Sequence, residues 1–385
     1  MKFVLAPDSF KESMSAADAV TAMAEGVRAA FAGGPEPQVV GVPMADGGEG
    51  FTEVIARALG AQLRTVTVSD PLGRDTEATF AFDPAEHVAV LECAQAVGLE
   101  AVPEDDRDIL ASTTVGVGEM ISAALDAGAR RIIIGLGGSA TNDAGAGMLT
   151  ALGIRLLDSD DNDVDPVPAR FGDITRIDTG GLDPRLTQVS VEVASDVTNP
   201  LLGGRGASAV FGPQKGASPQ QVQQLDEALT HFARVAGHTG EDGAANAPGA
   251  GAAGGLGYAL VAFCGATLRP GVDIAVELTG LEDAITGADL VITGEGSIDN
   301  QTLSGKTPAG VAEVAARAGV PCIALAGRVG AGRSNDISEL YGHGFTAVLP
   351  IIPRAMDLRE ALATGPDNLA AATEAAVRLF MAARP

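Results

Sequence analysis

Short apolar runs alternate along this chain with longer segments whose apolar residues recur at helical spacing. Residues 3–6 read as a buried strand. Residues 15–31 read as an Ala-rich helix, opened by Ser15 and by Asp18 three residues later in the manner of a capping box. A second strand falls at 38–42 and a second helix at 50–59. An apolar strand at 132–136 leads into a helix from about Asp143. Residues 289–293, 311–318 and 322–326 form a strand–helix–strand unit, and a final helix covers 368–383. Between these units the pattern changes. Residues 63–69, 76–82 and 88–91 are short strands with no helix between them, which predicts antiparallel pairing.

Alternating strands and helices specify an α/β fold. The chain has 385 residues, beyond the size at which a single core stops growing, so two domains are expected. The pattern assigns residues 1–64 and 265–385 to a discontinuous Rossmann-like or flavodoxin-like domain with a parallel sheet. Residues 65–264 form an inserted second α/β domain with a mixed sheet. The strand at 132–136 and its helix suit either part. The acidic stretch 158–165, with prolines at 166 and 168, is an exposed loop. The Gly/Ala/Asn tract at 237–255 reads as a mobile segment or a long functional loop.

Composition sharpens this picture. Aromatic residues are 4% of the chain against 46% hydrophobic, so the core must be aliphatic. The net charge of −25 argues against nucleic acid or an anionic membrane as partner. It also means that any site for an anion must be built locally, from Lys, Arg, backbone N–H groups or a divalent metal. Cys93, Cys264 and Cys322 stand far apart in apolar contexts, and His87, His231, His238 and His343 form no metal-type pair. The apolar start of the chain is too short for a signal-peptide core, and no apolar run reaches membrane-spanning length. A soluble, cytoplasmic protein is expected.

The lysines point to candidate chemistry. Only Lys2, Lys11, Lys215 and Lys306 occur, and the last three sit in short polar segments marked by Gly or Pro. Lysine is a compact point charge suited to a phosphate oxygen. Lys11 follows Asp8 and Ser9, just after the first strand. Lys306 lies in Gly-Lys-Thr-Pro, where Pro308 suits a first helical turn and a lysine opposes the helix dipole unless an anion joins it. The P-loop pattern fails there, because Asn300 stands where its first glycine belongs. The densest polar turn runs from Gly135 to Gly145 and includes Gly137, Gly138, Ser139, Asn142 and Asp143, with Asn142 or Asp143 available as helix N-cap. No dinucleotide fingerprint is in register there. Asp46, Gly47, Gly48 and Glu49 precede the second helix. They read either as a carboxylate pair for metal or substrate hydroxyls, or as a capping box of Asp46 with Glu49. Asp196, after a strand of alternating valines, is a base, a magnesium ligand, or an Asx-turn residue ahead of Pro200.

Six strings, in this order, resemble the type 1 glycerate kinase family of bacteria: APDSFKES at 6–13, MADGGEG at 44–50, GGSATND at 137–143, SDVTNPL at 195–201, FGPQKGA at 211–217, and the span from TGEG to GKTP at 293–308. The resemblance covers nearly the whole chain. It implies an ATP-dependent kinase that phosphorylates D-glycerate to 2-phosphoglycerate, with Mg2+, in the cleft between the two domains. A kinase forming 3-phosphoglycerate, or one for another small hydroxy acid, is the alternative. Lys11 and Lys306 are then expected on phosphate or substrate carboxylate, and Asp196 at the glycerate hydroxyl. Glu295 and Asp299 are expected at the metal. Asp8, Ser9, Asp46, Gly47, Gly48, Glu49, Gly137, Gly138, Ser139, Asn142, Asp143, Asn199, Lys215 and Gln301 are expected to bind substrate or ATP. Which loop holds which ligand, and whether the protein is a homodimer, stay open. A nicotinamide-dependent dehydrogenase and a ligand-sensing protein are the rival readings.

Overall fold

The computed structural model describes residues 1–240, 243–303, 305–330 and 337–383, without the side chains of Asn300 and Gln301. Thirteen strands lie among the described residues: β1 (Lys2–Leu5), β2 (Gln38–Gly41), β3 (Gln62–Ser69), β4 (Asp75–Asp83), β5 (Val88–Glu92), β6 (Arg131–Gly135), β7 (Arg155–Leu157), β8 (Arg176–Asp178), β9 (Ser190–Ala194), β10 (Thr267–Arg269), β11 (Leu290–Ile298), β12 (Cys322–Val329) and β13 (Phe345–Pro350). The chain forms two compact units, one of residues 1–46 and 270–385, the other of residues 47–269.

The first unit holds an all-parallel sheet in the order β13-β12-β11-β1-β2. Phe3, Val4 and Leu5 of β1 are all buried, as a parallel strand covered on both faces requires. Helices Ala16–Ala30 and Gly365–Ala382 pack on each other and join Phe3, Leu5, Leu290 and Ile292 in one core. Ser15 and Asp18 form the expected capping box. Helix Thr307–Arg317 packs beside β11 and β12. β11 and β12 run past their expected ends. Ser297 pairs with Arg328 and Ile298 with Val329, so ladder bonds carry the strands through polar residues that the apolar pattern excludes.

The second unit is built on a sheet in the order β10-β9-β6-β5-β4-β3. Pairing is parallel from β10 to β5 and antiparallel at β4 and β3, the mixed sheet that the helix-free strands predicted. Helix Phe51–Leu59 packs on β3, β4 and β5, so the first divide lies at 46/47, where the sequence pattern suggested 64/65. The helix expected near Asp143 begins at Ala146, after Gly145 in the left-handed region as N-cap. Helix Phe51–Leu59 is likewise capped by a left-handed Gly50 with no side-chain bond, so Asp46 and Glu49 form no capping box.

The tract at 237–255 is not a loose loop where it is described. Ala245, Ala250, Ala252 and Gly254 are buried, and the Ala144 N–H donates to the Gly254 carbonyl at 3.0 Å. Small residues serve close packing here, so the composition that suggested mobility reflects tight contact. Among the described residues, no helix is long and apolar enough to cross a membrane.

Candidate active site

In the second unit the polar segments collect at the carboxyl ends of β9, β6 and β5, where ligands bind in open α/β sheets. The loop after β6 lies against Gly47 and Gly48. A Cβ on Gly137 would stand 2.7 Å from Gly48 Cα, and one on Gly47 2.9 Å from Ala194 Cβ, so side chains are excluded from both. The loop's carbonyls turn inward. Gly138 C=O accepts from the Leu99 N–H at 2.8 Å, and Thr141 C=O from Lys215 Nζ at 2.7 Å. Gly137 C=O lies 3.5 Å from the Cys93 thiol. Among the described residues no backbone carbonyl accepts from the N–H of Gly138 or Ser139. Gly138 is exposed and holds φ at 71°. Free amides at a strand end, reached past glycines, form a concavity suited to an anion.

Asp143 is fully buried, and its carboxylate is spent inside the protein. Oδ2 accepts from Thr114 N at 2.7 Å, Thr114 Oγ1 at 2.8 Å and Gly147 N at 3.1 Å, while Oδ1 accepts from Gly145 N at 3.0 Å. Burial raises its pKa against these donors. Asn142 is also buried and donates to Ser208 Oγ at 2.9 Å. Asn199 braces its own turn through the Arg205 carbonyl at 2.8 Å. These bonds brace the loops that carry three of the expected binding residues. Asp196 is half-buried one residue beyond Ser195, whose hydroxyl takes the Val197 N–H at 3.3 Å. Glu49 is exposed.

In the first unit, β1 and β11 deliver the charged groups. Ladder-like bonds continue past β1: Asp8 N–H donates to Gly294 C=O at 2.8 Å and Met44 N–H to Pro7 C=O at 3.0 Å, drawing the 42–46 segment and β11 to either side of Asp8. Asp8 Oδ1 accepts from the Ser9 N–H at 2.6 Å, and Oδ2 from the Thr307 hydroxyl at 2.5 Å. Burial, with the negative charges of Asp46 and Glu295 nearby, pushes the Asp8 carboxyl up to about 7 in spite of those donors. Glu295 accepts from Thr302 Oγ1 at 3.0 Å and lies 3.5 Å from Lys306 Nζ. Burial raises its pKa, opposed first by Lys306. Lys306 occupies the N-cap position of helix Thr307–Arg317, with Pro308 in the first turn as the sequence predicts. Lys11 is exposed. The Asp299 N–H is 3.2 Å from Thr302 Oγ1. The Gln301 side chain lies outside the described residues.

Three residues escaped the sequence reading. Glu92 ends the apolar run of β5, is buried, and accepts from the Thr52 N–H at 2.5 Å, holding the start of helix Phe51–Leu59. A carboxylate closing an apolar strand was the available signal. Thr307 stood inside the quoted Gly-Lys-Thr-Pro string, but its bond to Asp8 crosses 299 positions. Arg328 is exposed on β12 beside Ser297, where the apolar pattern had already ended the strand.

The model of the Glycerate kinase family matches residues 3–381. A glycerate kinase of Bacillus subtilis is 46% identical over 361 residues, covering 94% of this chain and 93% of that protein. A glycerate 2-kinase of Escherichia coli is 44% identical over 373 residues, covering 97% and 96%. A crystal structure named for glycerate kinase 2 of Salmonella typhimurium superposes with a TM-score of 0.86 at 44% identity, covering 99% of this chain and 98% of that one.

Proposed function

Because the chain belongs to the glycerate kinase family and is a kinase, we propose that it transfers the γ-phosphoryl group of ATP to D-glycerate, forming 2-phosphoglycerate in the cytoplasm with magnesium. The observation that carries this reading is the group around Asp8. One carboxyl raised to about 7 by burial and then by the charges of Asp46 and Glu295, bonded to the threonine that opens a helix and flanked by Lys306, suits phosphoryl transfer. That reaction depends on positioning and charge neutralisation more than on covalent chemistry.

Magnesium fits these residues. Among the described residues no three acidic or histidine side chains converge on one point, so a complete protein cage is not built. Magnesium needs only one or two carboxylates, with waters and substrate phosphates completing its shell. Asp8 and Glu295 would hold it, with waters and substrate phosphates supplying the remaining oxygens. When bound, the metal neutralises charge on the phosphates and relieves the repulsion that raises Asp8. The chain's own groups do the rest. Lys306 and Lys11 orient phosphate or carboxylate oxygens, and the amides of Gly138 and Ser139 receive an anionic oxygen.

Asp196 at the end of β9 takes the proton of the glycerate hydroxyl. A second reading gives that proton to Asp8, favoured by its pKa near 7, where a base works best at neutral pH. The test is coupled ADP release by purified protein with D-glycerate, EDTA controls and a panel of small hydroxy acids, the product position being read by NMR. Turnover with glycerate that EDTA abolishes is expected. ADP release only with another hydroxy acid would overturn the substrate, and unchanged turnover in EDTA the metal. Asp196→Asn and Asp8→Asn, compared in kcat with ligand binding measured alongside, decide between the two bases.

A further inference from the structure

We infer that Lys215 is a positioning residue rather than a ligand-binding one: its buried ammonium pins the Gly137–Asp143 loop so that the amides of Gly138 and Ser139 face outward to the anion. This deepens the proposed function at the same site and rests on it for the catalytic consequence.

Lys215 is 3% exposed. Its Nζ donates to Ser139 Oγ at 2.9 Å and to the Thr141 carbonyl at 2.7 Å. Both acceptors belong to the polar loop after β6, 76 and 74 positions away in sequence. An ammonium held this way has no exposed face to offer a ligand. Its energetic logic is local. Burial lowers the pKa to about 8, while the negative charge of Asp143 pulls the other way. Asp143 holds the far end of the same loop through four donors. The loop is thus clamped at two points by opposite buried charges. Between them, its carbonyls are taken by Lys215 and Leu99, and the Gly138 and Ser139 amides have no backbone acceptor among the described residues. A Gly-rich turn without such a clamp would sample many conformations, because glycine gives up the most freedom on ordering. Fixing that loop before the ligand arrives is what preorganises an anion site.

The experiment is hydrogen exchange by mass spectrometry on the ligand-free full chain, with Lys215→Met and Ser139→Ala beside the wild type. A hydrogen bond to a charged group is worth enough that exchange across residues 136–144 should quicken about 10- to 100-fold in Lys215→Met. Helix Pro219–Val235 should exchange as before. Ser139→Ala removes one of two acceptors and should quicken the same segment less, which keeps the test usable if Lys215→Met does not fold. Steady-state kinetics should show KM rising in both variants, and the double variant losing less than the sum. Unchanged exchange across 136–144, with ligand affinity lost in Lys215→Met, would show direct contact and overturn the inference. Wild-type protein inactive on every hydroxy acid would sink the proposed function but leave the exchange result standing.

Discussion

Replacing Asp8 or its neighbour Asp46 should rewrite the pH dependence of turnover. Asp8 stands at about 7 instead of its ordinary 3.8, raised by burial first, then by Asp46, with Glu295 adding a smaller push. Whether the carboxylate accepts a proton or holds a cation, its ionised form is the working one. At limiting magnesium, kcat/KM should therefore climb with pH along a limb centred near 7, falling about tenfold per pH unit below it. Relative to the high-pH plateau, pH 5 then amounts to about a 100-fold loss for a single required ionisation. Asp46→Asn removes a like charge and should move the limb to lower pH. Saturating magnesium should move it the same way, since a cation favours the ionised form. Asp8→Asn should cost about 10²–10⁴-fold above pH 7 if the group is the base, and less at acid pH, where the wild type is already protonated. The assay is the coupled ADP measurement from pH 5 to 9, reported as kcat/KM because that ratio follows the ionisations of the free enzyme. A flat wild-type profile from pH 5 to 8, or a limb that ignores Asp46→Asn, would refute the argument.

Asp143→Asn puts an amide N–H where the buried carboxylate accepts from backbone donors, so at least one of its four bonds becomes a clash; a loss of about 2–4 kcal/mol in urea unfolding is expected. Gly137→Ala pushes a methyl to 2.7 Å from backbone at Gly48, which cannot rotate away; calorimetry should show about 1–3 kcal/mol of destabilisation and kinetics a raised KM. Lys306→Ala removes the cation that opposes the upward shift of Glu295, so that carboxyl should titrate higher still; KM for one ligand should rise about 10- to 100-fold, measurable by calorimetric binding of each ligand in turn.

The chain's own pattern determined the kind of fold and the places where chemistry gathers. Apolar runs, glycine punctuation and helix caps act over a few residues. That is why the parallel strands, the antiparallel pair at β3 and β4, the Ser15–Asp18 cap and the Pro308 helix start were all readable in order. The same short range set the limit. Asp143 resembled a helix cap or a ligand, and only the approach of Thr114 from another helix start made it a buried clasp. Lys215 read as a ligand-binding residue, and its neighbours in sequence say nothing of the bonds its ammonium makes to Ser139 and Thr141. The tract at 237–255 resembled a mobile loop, because glycine and alanine look alike whether they are loose or packed to contact. Asp8 carried no sign of a pKa near 7, since that value comes from burial first and then from Asp46 and Glu295, against the bond from Thr307, in surroundings built by the pairing of β1 with β2 and β11. Burial and charge fall off over a few ångströms of space, while sequence records only distance along the chain.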